Sequence, residues 1–449
     1  MLIDWGQPEQ EARALLEKLI QADTTNPPGN EKRAAQVLAT YFAEKSIPFE
    51  TYEPEPGRSS IVAQWGPKEA PPLYLVSHLD VVEADAKQWQ HPPFSGKVLD
   101  QELWGRGSLD TKQITAMHAV ALSLLKDHDA LGTVRIVFMA TADEEKGSRW
   151  GMQHLLQEHP ALFSPGYALN EGGGFTAHIN GRRFYLLESA QKGTGTLKLY
   201  SQREVRSHAA CPPERTPLRE IVEAVDRLYR YESPLHLGPT NRALFQGLAR
   251  AQNLDAGDLD QSPEQRRALV TTIINQCQDE ALTPVLKAAA FNTFSPNLLN
   301  GGTKATQLPA SAEAAISCRV LPEVTSAALQ EEVARLLNDL DVRAQLENFE
   351  PGYDLGVEDE LLASARAVIK AMDPQGEVLP FVAIGRTDSR WLRTKNIRSY
   401  GFAPMPGISI EEIVSRVHRY DERIPLASLA FGLRATYAMV QELDQYVIR

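Results

Sequence analysis

A few histidines and a scattered set of carboxylates are the residues of this sequence that could do chemistry together. His78 and Asp80 stand two positions apart, and in an extended segment residues i and i+2 project to the same side. Asp80 can then accept a hydrogen bond from one ring nitrogen of His78 and leave the other nitrogen for a metal ion, the device that orients many metal-binding histidines. Taken alone, the pair reads first as a polar loop histidine. Asp110 follows Trp104-Gly105-Arg106-Gly107-Ser108-Leu109. The two glycines permit a tight turn, so Asp110 is either a helix N-cap or a carboxylate placed to bridge two cations. Asp143, Glu144 and Glu145 are consecutive. Three adjacent carboxylates repel one another unless cations neutralise them or solvent screens them in an acidic turn. Asn170-Glu171 runs into Gly172-Gly173-Gly174, which suits either a close backbone approach or a plain turn. Far downstream stand Gly385-Arg386-Thr387-Asp388-Ser389-Arg390 and Val417-His418-Arg419-Tyr420-Asp421-Glu422; in isolation His418 is a surface histidine.

These positions lie at the ends of predicted elements. Apolar residues at helical spacing predict a first helix over 12–20, and Asn30 can cap a second whose face includes Ala34, Val37, Leu38 and Tyr41. Residues 73–77 and 134–141 read as short buried strands, the second rich in β-branched residues, with a helix over 114–125 between them. A further apolar stretch covers 167–169. Helices alternating with buried strands predict an α/β fold, a mostly parallel sheet with helices on both faces. From Gly193 the pattern changes to alternating strands over 194–200, 291–294 and 312–320, a helix over 217–231 and a polar stretch over 239–265. This predicts an α+β lid or dimerisation domain over 193–322, inserted into a catalytic domain of 1–192 plus 323–449. The chain closes with a helix over 426–443.

With 449 residues, two domains are the expectation. The content of 43% hydrophobic and 23% charged residues is globular. A net charge of -12 argues against nucleic acid and against an anionic membrane surface as partners. Cys211, Cys277 and Cys318 are odd in number and widely spaced, which suggests neither a disulfide framework nor a CxxC zinc site and fits a reducing, cytoplasmic compartment. Neither a signal peptide nor an apolar run long enough to span a bilayer is visible.

In order along the chain, DTTNPPGNE, SHLDVV, HPPFSGKVLDQELWGRGSLDTK, ATADEEKGS, ALNEGGG, FSPNLLNGG with SCRVLPEVT, GRTDSR and VHRYDERIP resemble the superfamily of zinc-dependent aminoacylases, acetylornithine deacetylases, succinyl-diaminopimelate desuccinylases and related carboxypeptidases. Spacing and length are most similar to its vacuolar carboxypeptidase and N-acyl-amino-acid hydrolase branch. The resemblance implies that His78, Asp110, Glu145, Glu171 and His418 hold two divalent ions, zinc first and cobalt or manganese as alternatives, with Asp110 between them. It implies a cis peptide after Asp110, Glu144 as general base and Asp80 as the carboxylate that orients His78. His208 matches a histidine that reaches across a homodimer to stabilise an oxyanion, although Arg203-Glu204-Val205-Arg206-Ser207 replaces the glycines usual before it. Arg319 matches a lid arginine that holds the substrate carboxylate, and Asp388 and Arg390 match positions that place the loop or the substrate near the metals. Thr306 stands where the family places asparagine. Two imidazoles and three carboxylates suit two zinc ions with open positions, and a water shared by two cations titrates near pH 7.

Three functions follow from this reading. The first is a metallocarboxypeptidase or N-acyl-amino-acid hydrolase acting on a small molecule or short peptide. The second is a metabolite-specific deacetylase or desuccinylase. The third, a non-catalytic relative used for assembly, is disfavoured by Glu144 standing beside a complete ligand set.

Overall fold

The strand Pro72–His78 is buried along its whole length, and its alternate side chains enter two different cores. Leu73 and Leu75 join the cluster formed with helices Gly6–Gln21, Lys112–Asp127 and Leu426–Tyr446. Tyr74 and Val76 join a second cluster with Met152 and Leu155 of helix Met152–Glu158. The period of two thus explains helices on both faces. The computed structural model describes residues 3–204, 207–277 and 279–446.

Pro72–His78 sits inside a ten-stranded mixed sheet. It pairs in parallel with Arg135–Thr141 on one side and Gly166–Asn170 on the other, and the latter pairs in parallel with Ile397–Gly401. His78 lies opposite Thr141 in register, so the carboxyl ends of these strands form one rim. In α/β sheets that rim is where ligands bind. The outer strands Phe49–Glu55 and Arg58–Trp65 are antiparallel.

A separate antiparallel sheet takes the order Thr293–Gly301, Ser311–Val320, Gly193–Gln202, Arg343–Glu350. Helices Pro217–Tyr229 and Ser326–Leu336 cover one face through Ile221, Ala224, Leu228, Leu329 and Val333. This sheet draws on residues beyond the expected boundary at 322, because Arg343–Glu350 supplies its fourth strand. The polar stretch over 239–265, to which the sequence assigns no element, is largely helical. It forms helix Pro239–Ala251 and the start of helix Pro263–Gln276. Their sparse apolar residues, Leu244, Phe245, Leu248, Val270, Ile273 and Ile274, pack with Phe184, Leu186, Leu379 and Phe381 of the large sheet. Asn30 does not cap the second helix; Glu31 occupies the cap position with no side-chain cap bond, and Asn30 adopts φ 117°.

The large sheet passes into the smaller one at Lys192, between strands Arg182–Gln191 and Gly193–Gln202. Lys192 is 2% exposed, and its Nζ donates to the carbonyls of Ala288 and Phe291, both at 2.7 Å. It therefore fastens the outgoing chain to the segment entering the strand Thr293–Gly301 of the smaller sheet. Burial, and then the Arg319 charge, push its ammonium down to about 7. Between pH 7 and the ordinary lysine range the unfolded chain binds more protons than the native one, so this residue's contribution to stability rises with pH there. The stability of the wild type relative to Lys192→Met should climb from pH 7 to pH 10, by at most about 1.4 kcal/mol per pH unit. Urea unfolding of both proteins checks this, and a difference that does not change with pH contradicts it.

Candidate metal centre

Five side chains meet above the sheet rim. His78 ends its strand, Glu171 follows Gly166–Asn170, and Glu145 lies in the turn after Arg135–Thr141. Asp110 precedes helix Lys112–Asp127, with a cis peptide to Thr111. His418 comes from the turn after helix Ile410–Arg416, at φ 60°. The ligating atoms fall into two groups, His78-Asp110-Glu171 and Asp110-Glu145-His418, each within 4.8 Å. His78 Nε2 is 3.0 Å from Asp110 Oδ1 and 3.5 Å from Glu171 Oε2. His418 Nε2 is 3.0 Å from Asp110 Oδ2 and 3.1 Å from Glu145 Oε1. Asp110 is thus shared, one carboxylate oxygen turned to each imidazole. Close approach is needed at Gly172, where a Cβ would collide with the Glu188 carboxylate beneath.

The role of Asp80 is broader than its spacing suggests. His78 Nδ1 lies 2.9 Å from the Asp80 main-chain oxygen and 3.5 Å from its Oδ1. The carboxylate instead accepts the backbone N–H groups of Glu144 at 3.0 Å and Glu145 at 3.1 Å, and Asn26 Nδ2 at 2.8 Å. One buried anion therefore sets both the pocket glutamate and a ligand glutamate. A layer below, Asp143 holds a left-handed φ of 67°, uncommon for a residue with a side chain. Its carboxylate accepts from Asn26 at 3.0 Å, Arg58 at 2.8 Å and the Trp150 N–H at 3.2 Å. Arg58 also binds Glu31 through Nε at 2.8 Å and Nη2 at 2.7 Å. Glu31 and Asp143 are buried, so losing their shared cation leaves two uncompensated carboxylates. Arg58→Met should destabilise the protein by about 3–5 kcal/mol and loosen the turn that presents Glu144 and Glu145. Denaturant unfolding and a metal titration read the two effects; unchanged stability would exclude the network as a support.

Glu422 does the corresponding work for Asp110. It is fully buried and accepts the N–H groups of Leu109 at 2.6 Å, Asp110 at 3.1 Å and Gly107 at 3.2 Å. Arg106 Nη1 completes it at 2.6 Å. The sequence assigns no role to Glu422, Arg58 or Glu31, although Glu31 and Glu422 lie within the motifs DTTNPPGNE and VHRYDERIP.

Both ligand groups open into one pocket of about 480 Å³, also lined by Glu144, Arg319 and Arg386. Glu144 is 9% exposed, with Arg390 Nη1 3.6 Å from its Oε1. Arg390 reaches Glu350 Oε2 at 3.4 Å through Nε and donates to the Thr387 carbonyl; it is not among the lining residues. Arg319 has an Nη1 with no hydrogen-bond partner. Asp388 differs from a substrate contact: it is buried, and the hydroxyls of Thr141 and Ser148 occupy its carboxylate. It braces the turn carrying Glu144. His208 is not brought to the centre. It is exposed in the loop beyond strand Gly193–Gln202, whose ten residues separate that loop from the Gly193 end by about 30 Å. Val205 and Arg206, in the stretch that replaces the expected glycines, lie outside the described residues.

The electrostatics suit cations. Burial, then the Glu171 charge, raise the Glu144 carboxyl well above its ordinary value, and burial first pushes Glu171 up to about 7. Burial opposes charge on His78, yet Glu171, Asp110 and Asp80 raise its pKa well above the imidazole range. Hydrogen bonds to Asp110 and Glu145 lift His418 to about 10. Carboxylates gathered around two imidazoles make a field that favours bound cations over protons. Two nitrogen donors and three carboxylates, one shared, form a donor set that fits two borderline or hard divalent ions.

Peptidase family M20/M25/M40 matches this chain over residues 74–442. The chain is 25% identical over 394 residues to the mouse (Mus musculus) protein "N-fatty-acyl-amino acid synthase/hydrolase PM20D1", covering 84% of this chain and 75% of the relative. In fold it is similar to the M20 family metallo-carboxypeptidase Sso-CP2 from Sulfolobus solfataricus, with a TM-score of 0.70 at 17% identity over 97% of this chain and 99% of the other. It is also similar to human carnosine dipeptidase 1, with a TM-score of 0.68 at 15% identity over 98% and 97% of the two chains.

Proposed function

The chain belongs to peptidase family M20/M25/M40 and is a metal-dependent hydrolase, and from that premise we propose that it cleaves an amide next to a free carboxylate, in an N-acyl amino acid or at the end of a short peptide. The observation that carries this reading is the shared pocket: both ligand groups, Glu144 and the incompletely partnered Arg319 face the same cavity. His78, Asp110 and Glu171 would hold one divalent ion and Asp110, Glu145 and His418 the other, with zinc as the expected metal. When bound, such ions bring the pKa of water toward about 7 and polarise a carbonyl.

The remaining work falls to the chain's own residues. Arg319 offers its free Nη1 to the substrate carboxylate, and a planar guanidinium suits that anion. Glu144 takes a proton from water on its carboxylate as the water oxygen forms the new C–O bond. It then delivers that proton to the amide nitrogen as the C–N bond breaks. Arg390 beside Glu144 favours the ionised base between turnovers. Asp80 fixes the Glu144 backbone throughout.

Hydrolysis of N-acyl amino acids and dipeptides, each compared with its carboxamide-capped form after chelation and after zinc return, tests the reading. Free-carboxylate substrates should be cut only with metal, and capping should raise KM at least about tenfold, the loss of a charge-assisted hydrogen bond. Equal turnover of capped and free forms would remove the carboxylate from the proposal. The proposal includes a homodimer in a reducing, cytoplasmic compartment. Exposed His208 on the outer lid loop and three free cysteines support it, and no helix among the described residues is long and apolar enough to cross a membrane. Light scattering of the purified protein tests the dimer, which a monomer at micromolar concentration would exclude.

A further inference from the structure

The five side chains that meet at the metal centre are not held alike. His78, Asp110, Glu145 and Glu171 have side chains at most 16% exposed, whereas that of His418 is 51% exposed. His78 also has its second ring nitrogen occupied, with Nδ1 at 2.9 Å from the Asp80 main-chain oxygen. His418 differs. Its Nε2 faces Asp110 and Glu145, and among the described residues nothing is hydrogen-bonded to its Nδ1. A metal-binding histidine is ordinarily oriented by a partner on the nitrogen turned away from the metal. For His418 that task passes to the backbone of its turn.

The turn is fixed from outside. His418 at φ 60° and Asp421 at φ 59° both hold left-handed backbone, which residues other than glycine keep where their surroundings determine it. One restraint comes from 331 positions earlier in the chain. The Asp421 carboxylate accepts the Gln90 backbone N–H on Oδ1 at 2.8 Å and Gln90 Nε2 on Oδ2 at 3.0 Å. This is a two-pronged, charge-assisted contact. Gln90 stands on firm support. It follows the short 3-10 helix Ala86–Gln88, capped by Asp85, and the buried Trp89, whose ring lies 5.3 Å from the Arg106 guanidinium. Arg106 Nη2 donates to the Arg419 carbonyl at 2.7 Å, and Arg423 Nη1 donates to the Asp421 carbonyl at 2.9 Å. Arg106 also serves Glu422, and through it the Asp110 loop. Gln90, by contrast, hydrogen-bonds to Asp421 alone among the described residues. Its fork can therefore be removed without disturbing Asp110.

We infer that Gln90 and Asp421 are positioning residues for the ion that Asp110, Glu145 and His418 would hold: the fork fixes the turn, and the turn presents His418 Nε2. The inference rests on the two-ion reading of the site. A turn already in its binding geometry spares the ordering that ion binding would otherwise impose. Removing an outer partner of a ligand weakens metal binding about 10–100-fold, and here the weakening should fall on one ion.

Zinc titration by calorimetry of the chelated full-length protein reads both association constants, and His418→Ala identifies which of them belongs to this ion. Gln90→Met, at an exposed side chain, removes one prong and leaves every residue of the turn in place. That constant should fall about tenfold and the other by less than about threefold. Asp421→Ala removes both prongs and should weaken the same ion about a hundredfold. Asp421→Asn should restore wild-type binding. Its Oδ1 accepts the Gln90 N–H, its Nδ2 donates to the turned Gln90 amide oxygen, and asparagine tolerates the left-handed φ. In the His418→Ala protein, Gln90→Met should leave the remaining constant unchanged, whereas a fork that only braced the fold would lower it there too. Wild-type constants in Gln90→Met, or both constants falling together in it, overturn the inference and leave the two-ion reading intact. An Asp421→Asn protein as weak as Asp421→Ala does the same. A wild type that takes up fewer than two zinc ions overturns the two-ion reading, and the inference with it.

Discussion

Glu144→Gln is expected to lower kcat by about 10²–10⁴-fold, the usual contribution of a positioned proton-transfer group, while the protein keeps its full complement of metal. The expectation follows from where the residue stands. Glu144 belongs to neither ligand group, although its neighbour Glu145 belongs to one. It lines the pocket between them, and its backbone N–H is fixed by Asp80 at 3.0 Å. Glutamine keeps the size, the backbone bond and the contact with Arg390, and loses only the ability to hold a proton. KM should change by less than about threefold, because the interaction removed is one made in the transition state. Metal content by atomic emission, thermal unfolding and steady-state kinetics on one preparation distinguish this from a ligand defect. A variant retaining more than a tenth of the wild-type kcat would mean that the proton is taken elsewhere. Loss of metal in the same variant would move Glu144 into the ligand set.

The contrast between Glu144 and Glu145 shows how much of the site is legible in the sequence. Three consecutive acids at a strand end mark a charged feature, and only the resemblance distinguishes Glu145 as a ligand from Glu144 as a base; in the structure Glu145 lies in one of the two groups that could hold a metal and Glu144 in neither. The strands that present them were legible as well, because 73–76 and 136–140 are apolar throughout, as strands buried on both faces are. The supports were not. Arg58 meets Asp143 across 85 positions and Glu422 meets Leu109 across 313, and nothing local in either segment specifies such partners. The helices over 239–276 failed for a different reason. Their polar composition hid two usable signals, a proline at the first helical turn and a capping box in which Ser262 and Gln265 satisfy each other's backbone. Spacing gives the direction of Asp80, whose carboxylate stands 3.5 Å from the His78 ring, and not the competition for that carboxylate. Two backbone N–H groups and an asparagine draw its carboxylate away from the imidazole, and the main-chain oxygen takes the nearer place.

Asp110→Ala is expected to abolish binding of both ions, whereas His418→Ala should lose only one. Asp110 is the single residue common to the two groups among the described residues, with Oδ1 turned to His78 and Oδ2 to His418, each at 3.0 Å. Without it each group keeps two protein ligands, and two imidazoles no longer share an anion. His418→Ala leaves His78, Asp110 and Glu171 complete. The loop should survive either change, because Glu422 holds the Leu109 and Gly107 N–H groups independently of the Asp110 side chain. Folding and metal binding can therefore be read apart. At a free zinc concentration of one hundred times Kd, an ion that binds only the native state adds about 2.7 kcal/mol to stability. The wild type, holding two ions, should gain about twice this, His418→Ala about this much, and Asp110→Ala none, with circular dichroism unchanged in all three. Metal-to-protein ratios near two, one and zero should accompany the series. An Asp110→Ala protein that still retained two ions would show that the groups bind separately, and the assignment of a shared carboxylate would fall with it.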